Sequence, residues 1–181
     1  SVLPLSSLGL DHAATTERIS TGIDRLDTML AGGIYRGTSV LVSGTAGTGK
    51  SSISAHMAAA SCARGERCLY FSFEESPAQI LRNMRSIALD LGPCLASGLL
   101  RIVSARPTLY GLEMHLATMY RYIRDFAPAL VVVDPFLAGT SAFAGALAIA
   151  AFAAVPAVTA ARTAFAAFFA VRATGLGGCL A

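Results

Sequence analysis

The chain has 181 residues, with 14 basic against 11 acidic side chains and a formal net charge of +3. That length suits one domain with a real core, and so mild a basic excess does not by itself point to nucleic acid. The four cysteines at 62, 68, 94 and 179 form no C-x-x-C pair and no zinc-like cluster with histidine, which argues against a disulfide scaffold or a structural zinc site. They read as reduced core residues, and no N-terminal stretch resembles a signal peptide, so the expected location is cytoplasmic. Ser1 in place of a starting methionine is read as the start of a piece of a longer chain.

Residues 1–17 carry Pro4, Gly9 and the pair Asp11-His12 without periodicity, and are expected to be an inter-domain linker. The domain proper is expected over 18–181. A short mixed segment, Ile19–Leu30, runs into the turn signal Ala31-Gly32-Gly33. The β-branched run around Ser39–Val42 predicts a buried strand within 38–43. A helix follows from Ser51 to about Ala63, with Ile53, Met57 and Ala60 on one face. Cys68–Phe73 is the second strand. Ser76-Pro77 marks a helix start, and Ile80, Leu81, Met84, Ile87, Ala88 and Leu91 extend the pattern until Gly92-Pro93 stops it. Leu99–Ala105 is the third strand. Leu112, Leu116, Met119, Tyr120, Ile123 and Phe126 mark a further helix that Pro128 ends. Leu130–Val133 is a fully apolar strand closing on Asp134.

From Pro135 to Ala181 the composition changes: alanine fills 18 of 47 positions, and Arg162 and Arg172 are the only charges. Pro135–Ala161 is uncharged over 27 residues, but its alanines are weakly apolar and Pro156 interrupts it, so no membrane span is expected. Residues 138–181 are taken as an alanine-rich stretch of doubtful identity, ending a domain expected to be cut short, and no site residue is assigned beyond Asp134.

Strands alternating with helices, each strand apolar on both sides, predict an α/β fold with a mostly parallel β-sheet flanked by helices on both faces. Ligands of such sheets bind at the carboxyl ends of the strands. Three polar features fall at those ends. Gly44-Thr45-Ala46-Gly47-Thr48-Gly49-Lys50-Ser51 fits G-x-x-x-x-G-K-[ST], the phosphate-binding loop. Its backbone N–H groups wrap a polyphosphate, and the helix that follows adds the positive end of its dipole. Lys50 is the only lysine in the chain. It is expected to reach the β- and γ-phosphates of ATP, with Thr45, Ala46, Gly47, Thr48, Gly49, Lys50, Ser51 and Ser52 in contact with the nucleotide. Ser51 and Asp134 are the expected ligands of Mg²⁺. Glu74-Glu75 follow an aromatic strand end. Alternation should send the two carboxylates to opposite sides. Either is a candidate to take a proton from the attacking group, the alternatives being a cation partner, a solvated strand-end charge or a helix cap.

Three segments together resemble the KaiC family of RecA-like P-loop ATPases. They are Arg18-Ile19-Ser20-Thr21-Gly22-Ile23-Asp24-Arg25-Leu26-Asp27 running into Gly32-Gly33, the loop Ser43–Ser51, and Phe71-Ser72-Phe73-Glu74-Glu75-Ser76-Pro77 with Arg82-Asn83 downstream. The resemblance covers about residues 1–137. It implies a RecA-like P-loop fold and a homo-oligomer, a hexameric ring with ATP at the subunit interfaces. It implies that Glu74 and Glu75 are catalytic together with Lys50, with Glu74 also touching Mg²⁺. It further implies a clock or signalling assembly, a KaiB-like protein partner, and serine/threonine autophosphorylation as an open question. The segment before Ser20 looks like the linker of double-domain members, which would make this the second, C-terminal domain. The runner-up is a RecA/RadA-type DNA-dependent ATPase of recombination or repair. Such a protein should carry basic loops after the Asp134 strand, where only Arg162 and Arg172 occur, so DNA is not the expected partner.

Overall fold

The structure is a computed structural model that describes residues 15–45, 47–106, 112–134 and 147–151. Most of the expected linker, Ala46 and most of the alanine-rich stretch lie outside the described residues. The described part opens with β1 (Arg18–Ile19), α1 (Asp24–Met29) and β2 (Ile34–Tyr35), then β3 (Ser39–Val42), α2 (Lys50–Ala63) and β4 (Cys68–Ser72). It continues with α3 (Pro77–Arg85), α4 (Gly92–Ala96), β5 (Leu100–Ser104), α5 (Leu112–Phe126), β6 (Leu130–Asp134) and β7 (Leu147–Ala151).

The main sheet has the order β3-β7-β6-β4-β5. β4 pairs parallel with both β5 and β6, while β7 runs antiparallel to β3 and β6. Four strands therefore point one way and bring their carboxyl ends to one edge. β7 comes from the alanine-rich stretch, from which no strand was expected, and it runs against the other four.

Two-fold alternation along β4 and β6 divides the core between the two faces of the sheet. Cys68, Tyr70, Leu130 and Val132 pack with Ala55, Met57 and Ala58 of α2, with Ile80 and Met84 of α3, and with Leu91. Leu69, Phe71, Val131 and Val133 pack with Met119 and Ile123 of α5 on the other side. All five residues of each strand are buried, which accounts for continuous apolar runs where a one-sided strand would alternate. Burying each large apolar side chain contributes roughly 1.5–3 kcal/mol.

The N-terminal hairpin of β1 and β2 is fastened by polar groups. Asp27 accepts hydrogen bonds from the Thr21 amide (2.8 Å), the Thr21 hydroxyl (2.6 Å) and the Ser20 hydroxyl. Burial acts to raise the Asp27 pKa, but these hydrogen bonds outweigh it and hold the carboxyl below its ordinary value. Arg64, at the end of α2, donates to the Ser20 carbonyl, so the hairpin is tied to that helix. Arg36 bridges Glu17 and Glu66.

α3 departs from expectation. Its start is as read: Ser76 and Gln79 form a reciprocal capping box, with proline in the first turn. Its end comes at Arg85, ahead of the expected Leu91. The Ala88 amide bonds to the Arg85 carbonyl and the Leu89 amide to the Met84 carbonyl, with Ala88 in the left-handed region at φ 62°. This is the Schellman closure, made here without the usual glycine. Gly92-Pro93, read as a stop, opens α4 instead, where proline suits the first turn. The apolar period continued to Leu91 because that side chain is fully buried, although it lies outside the helix. Ala88→Gly should remove the left-handed strain and stabilise the domain by ~0.5–1 kcal/mol. The melting temperature should rise by ~1–3 °C, and an unchanged or lower one would contradict this closure.

Candidate active site

The loop between β3 and α2 is built by its glycines. Gly47 and Gly49 have φ of 81° and 85°, and a Cβ on either would meet nothing within 4 Å. Backbone conformation, not crowding, therefore demands glycine there. Gly44 is the opposite case, since a Cβ on it would lie 2.8 Å from Thr48 Oγ1. That hydroxyl donates to the Thr45 carbonyl at 2.9 Å and closes the loop on itself. Lys50 is the first residue of α2, and its Nζ donates to the Gly44 and Thr45 carbonyls, each at 2.8 Å. The ammonium thus lies over the mouth of the loop, at the helix end where free N–H groups and the dipole favour an anion. Ser51 and Ser52 follow in the first turn, half-buried.

Asp134 closes β6. Its Cα pairs with that of Ser72 at the end of β4, and its carbonyl accepts from the Phe73 amide at 2.9 Å. Asp134 is only 8% exposed, and burial is costly for a charge without partners. Tyr70 supplies one: its hydroxyl donates to Asp134 Oδ2 at 2.7 Å. The same phenol oxygen lies 3.1 Å from Ser54 Oγ, which donates to the Ser51 carbonyl at 2.8 Å. A buried polar chain therefore connects the head of α2 with Asp134. Burial, and then the adjacent Asp134 charge, hold the Tyr70 phenol well above its ordinary pKa, so it remains a donor at neutral pH.

Glu74 and Glu75 lie in the bend after β4, not on the strand, yet their environments do differ. Glu74 is exposed, and among the described residues its carboxylate takes no hydrogen bond or ion pair. Glu75 is half-buried, and its Oε1 accepts from Asn83 Nδ2 of α3 at 2.7 Å. The Glu75 carbonyl accepts from the Ser72 hydroxyl (2.8 Å) and the Ser104 hydroxyl (3.0 Å), which pins the bend to the ends of β4 and β5.

The loop, the glutamates and Asp134 thus share one sheet edge, as expected; Ala46 lies outside the described residues. Sequence reasoning gave no role to Tyr70, Ser54 or Asn83. Asn83 was visible within a quoted motif, and Tyr70 was the one hydroxyl-bearing aromatic in a buried strand. The donors available at Ser51 and Asp134 are a hydroxyl and a carboxylate. Such hard oxygens suit Mg²⁺, and the buried acidic group of Asp134 fits it. No group of three or more metal-ligating side chains occurs among the described residues, so a metal here would also draw ligands from phosphate and water.

The KaiC ATPase family, described as "ATPase: KaiC", matches residues 19–142. The chain belongs to the KaiC family. This KaiC domain therefore has the RecA-like P-loop fold, to which its mostly parallel sheet conforms. It is 57% identical over 136 residues to the circadian clock protein KaiC2 of Synechocystis, a match covering 75% of this chain and 24% of that protein. It is 38% identical over 133 residues to the circadian clock oscillator protein KaiC of Synechococcus elongatus and, over the same length, to the circadian clock protein KaiC3 of Synechocystis. Each of these two matches covers 74% of this chain and 26% of the relative. The chain spans about a quarter of the length of the relatives it matches. These likenesses do not favour the recombinase alternative. No helix among the described residues is long and apolar enough to cross a membrane.

Lys50→Ala should weaken ATP binding by roughly 10–100-fold, as expected for losing a charged hydrogen-bond donor. Titration with a fluorescent ATP analogue checks this, and wild-type affinity in the variant would contradict the assignment of the loop.

Proposed function

We propose that this domain binds Mg·ATP on residues 45–52 and hydrolyses it. The observation that carries the reading is the placing of Lys50 at the head of α2, joined through Ser51, Ser54 and Tyr70 to the buried Asp134. Catalysis of phosphoryl transfer is mainly positioning and charge neutralisation. The loop amides and Lys50 hold the triphosphate. Ser51 and Asp134 would hold Mg²⁺, which supplies charge neutralisation between the phosphate oxygens.

Of the two glutamates, Glu74 is the better proton acceptor. Its carboxylate is exposed, whereas that of Glu75 is engaged by Asn83. Glu75 acts as a positioning residue: its carbonyl and side chain fix the bend that presents Glu74. This reading departs from the expectation that both are catalytic, and it requires no direct contact of Glu74 with Mg²⁺.

The relatives' names speak of circadian clock proteins, which supports a clock setting; the rest of the wider reading follows from the family resemblance. The domain would be one unit of a longer double-domain protein, placed as its second half, and would assemble as a hexameric ring with ATP between subunits. It would work in a cytoplasmic clock or signalling assembly with a KaiB-like partner. Autophosphorylation on serine or threonine belongs to the same reading. Intact-mass analysis of the protein after incubation with Mg·ATP, with ADP measured alongside, separates an autokinase from a simple ATPase.

Glu74→Gln should lower turnover by about 10²-fold or more, in line with the loss of a proton-accepting group, with ATP affinity nearly unchanged. Glu75→Gln keeps an acceptor oxygen for Asn83 and should cost far less. Unaltered turnover in Glu74→Gln would contradict the assignment of Glu74 as the proton acceptor.

A further inference from the structure

We propose that Tyr70 is a positioning residue for the divalent cation, setting the Asp134 carboxylate and coupling it to the head of α2. The inference rests on the reading of Asp134 as a metal ligand. The Tyr70 ring is 1% exposed within an apolar core. Phenylalanine would fill the same space, so packing alone gives the hydroxyl no purpose there. That hydroxyl has two partners among the described residues, Asp134 Oδ2 and Ser54 Oγ, and both lead to the site.

The protons determine how the chain is wired. Three short contacts, Ser51 carbonyl to Ser54, Ser54 to Tyr70 and Tyr70 to Asp134, must be served by two hydroxyl hydrogens. A carboxylate is the strongest acceptor of the three, so the Tyr70 hydrogen goes to Asp134. The Ser54 hydrogen serves the Ser51 carbonyl at 2.8 Å, and the Tyr70 oxygen at 3.1 Å is the other acceptor within its reach. Asp134 Oδ2 is thereby committed. Oδ1 carries no hydrogen bond among the described residues and is the oxygen left for a cation. Partners of metal-binding carboxylates orient them in this way, and losing such a partner weakens metal affinity by about 10–100-fold.

The head of α2 feels the same linkage. Ser51, whose hydroxyl is the other expected ligand, has its carbonyl held by Ser54. The two metal-binding side chains come from α2 and β6, and Tyr70 from β4 bridges them. Ser54 and Tyr70 stand in line between the two ends, and Ser54 can donate to only one of its two neighbours at a time.

The test uses Mn²⁺ as the probe, followed by electron paramagnetic resonance in protein loaded with a non-hydrolysable ATP analogue. Tyr70→Phe should weaken Mn²⁺ binding about tenfold. Nucleotide affinity measured in EDTA, and the circular dichroism spectrum, should stay close to wild type because the ring remains. Asp134→Asn is measured in parallel and should weaken Mn²⁺ binding at least as much. If Asp134→Asn weakens the ion and Tyr70→Phe does not, the role of Tyr70 is overturned while the reading of Asp134 stands. If Asp134→Asn leaves Mn²⁺ affinity unchanged, the metal-ligand reading fails and this inference fails with it. Equal losses of Mn²⁺ affinity and metal-free nucleotide affinity in Tyr70→Phe would mark a general structural role and would also overturn the proposal.

Discussion

The parallel pairing of β4 with β6 is the constraint on which the site depends. Their register sets Ser72 beside Asp134 and Tyr70 beside Val132, so both strands finish at the same level. Both are buried on two faces, and a slip of one residue would turn every core side chain to the wrong side. The hydrophobic core therefore fixes the position of a carboxylate that contributes nothing to the core. The bend after β4 inherits the same precision, because the Ser72 and Ser104 hydroxyls both grip the Glu75 carbonyl.

Electrostatics complete what packing begins. A cation over the glycine loop after β3 and a buried carboxylate at the end of β6, with β7 between the two strands, form a site of separated opposite charges. On the proposed reading the loop side would attract phosphate, and the Asp134 side the cation that accompanies it. Asp134 tolerates burial because Tyr70 donates to it, at the cost of engaging one of its oxygens. The arrangement gives a role to a tyrosine hydroxyl set deep in the core.

Much of this was legible in the sequence. The loop 44–51, the four same-direction strands and the closing Asp134 followed from a spaced motif and from apolar runs that permit little else. The capping box at Ser76 was equally plain. Other features required three dimensions. Gly92-Pro93 is compatible with ending one helix or starting another, and only the left-handed turn at Ala88 decides between them. The difference between Glu74 and Glu75 rests on Asn83, eight residues further on and in another element. The Tyr70 linkage joins residues 51, 54, 70 and 134, whose spacing in sequence carries no motif. β7 could not be read because alanine-rich sequence has little period of either kind.

The most direct measurement is a crystal structure of the protein with Mn²⁺ and a non-hydrolysable ATP analogue, the metal located by its anomalous scattering. The account predicts the triphosphate wrapped by residues 45–52, with the Mn²⁺ peak between the Ser51 hydroxyl and the Asp134 carboxylate. Nucleotide bound elsewhere, or a metal peak remote from both side chains, would contradict it.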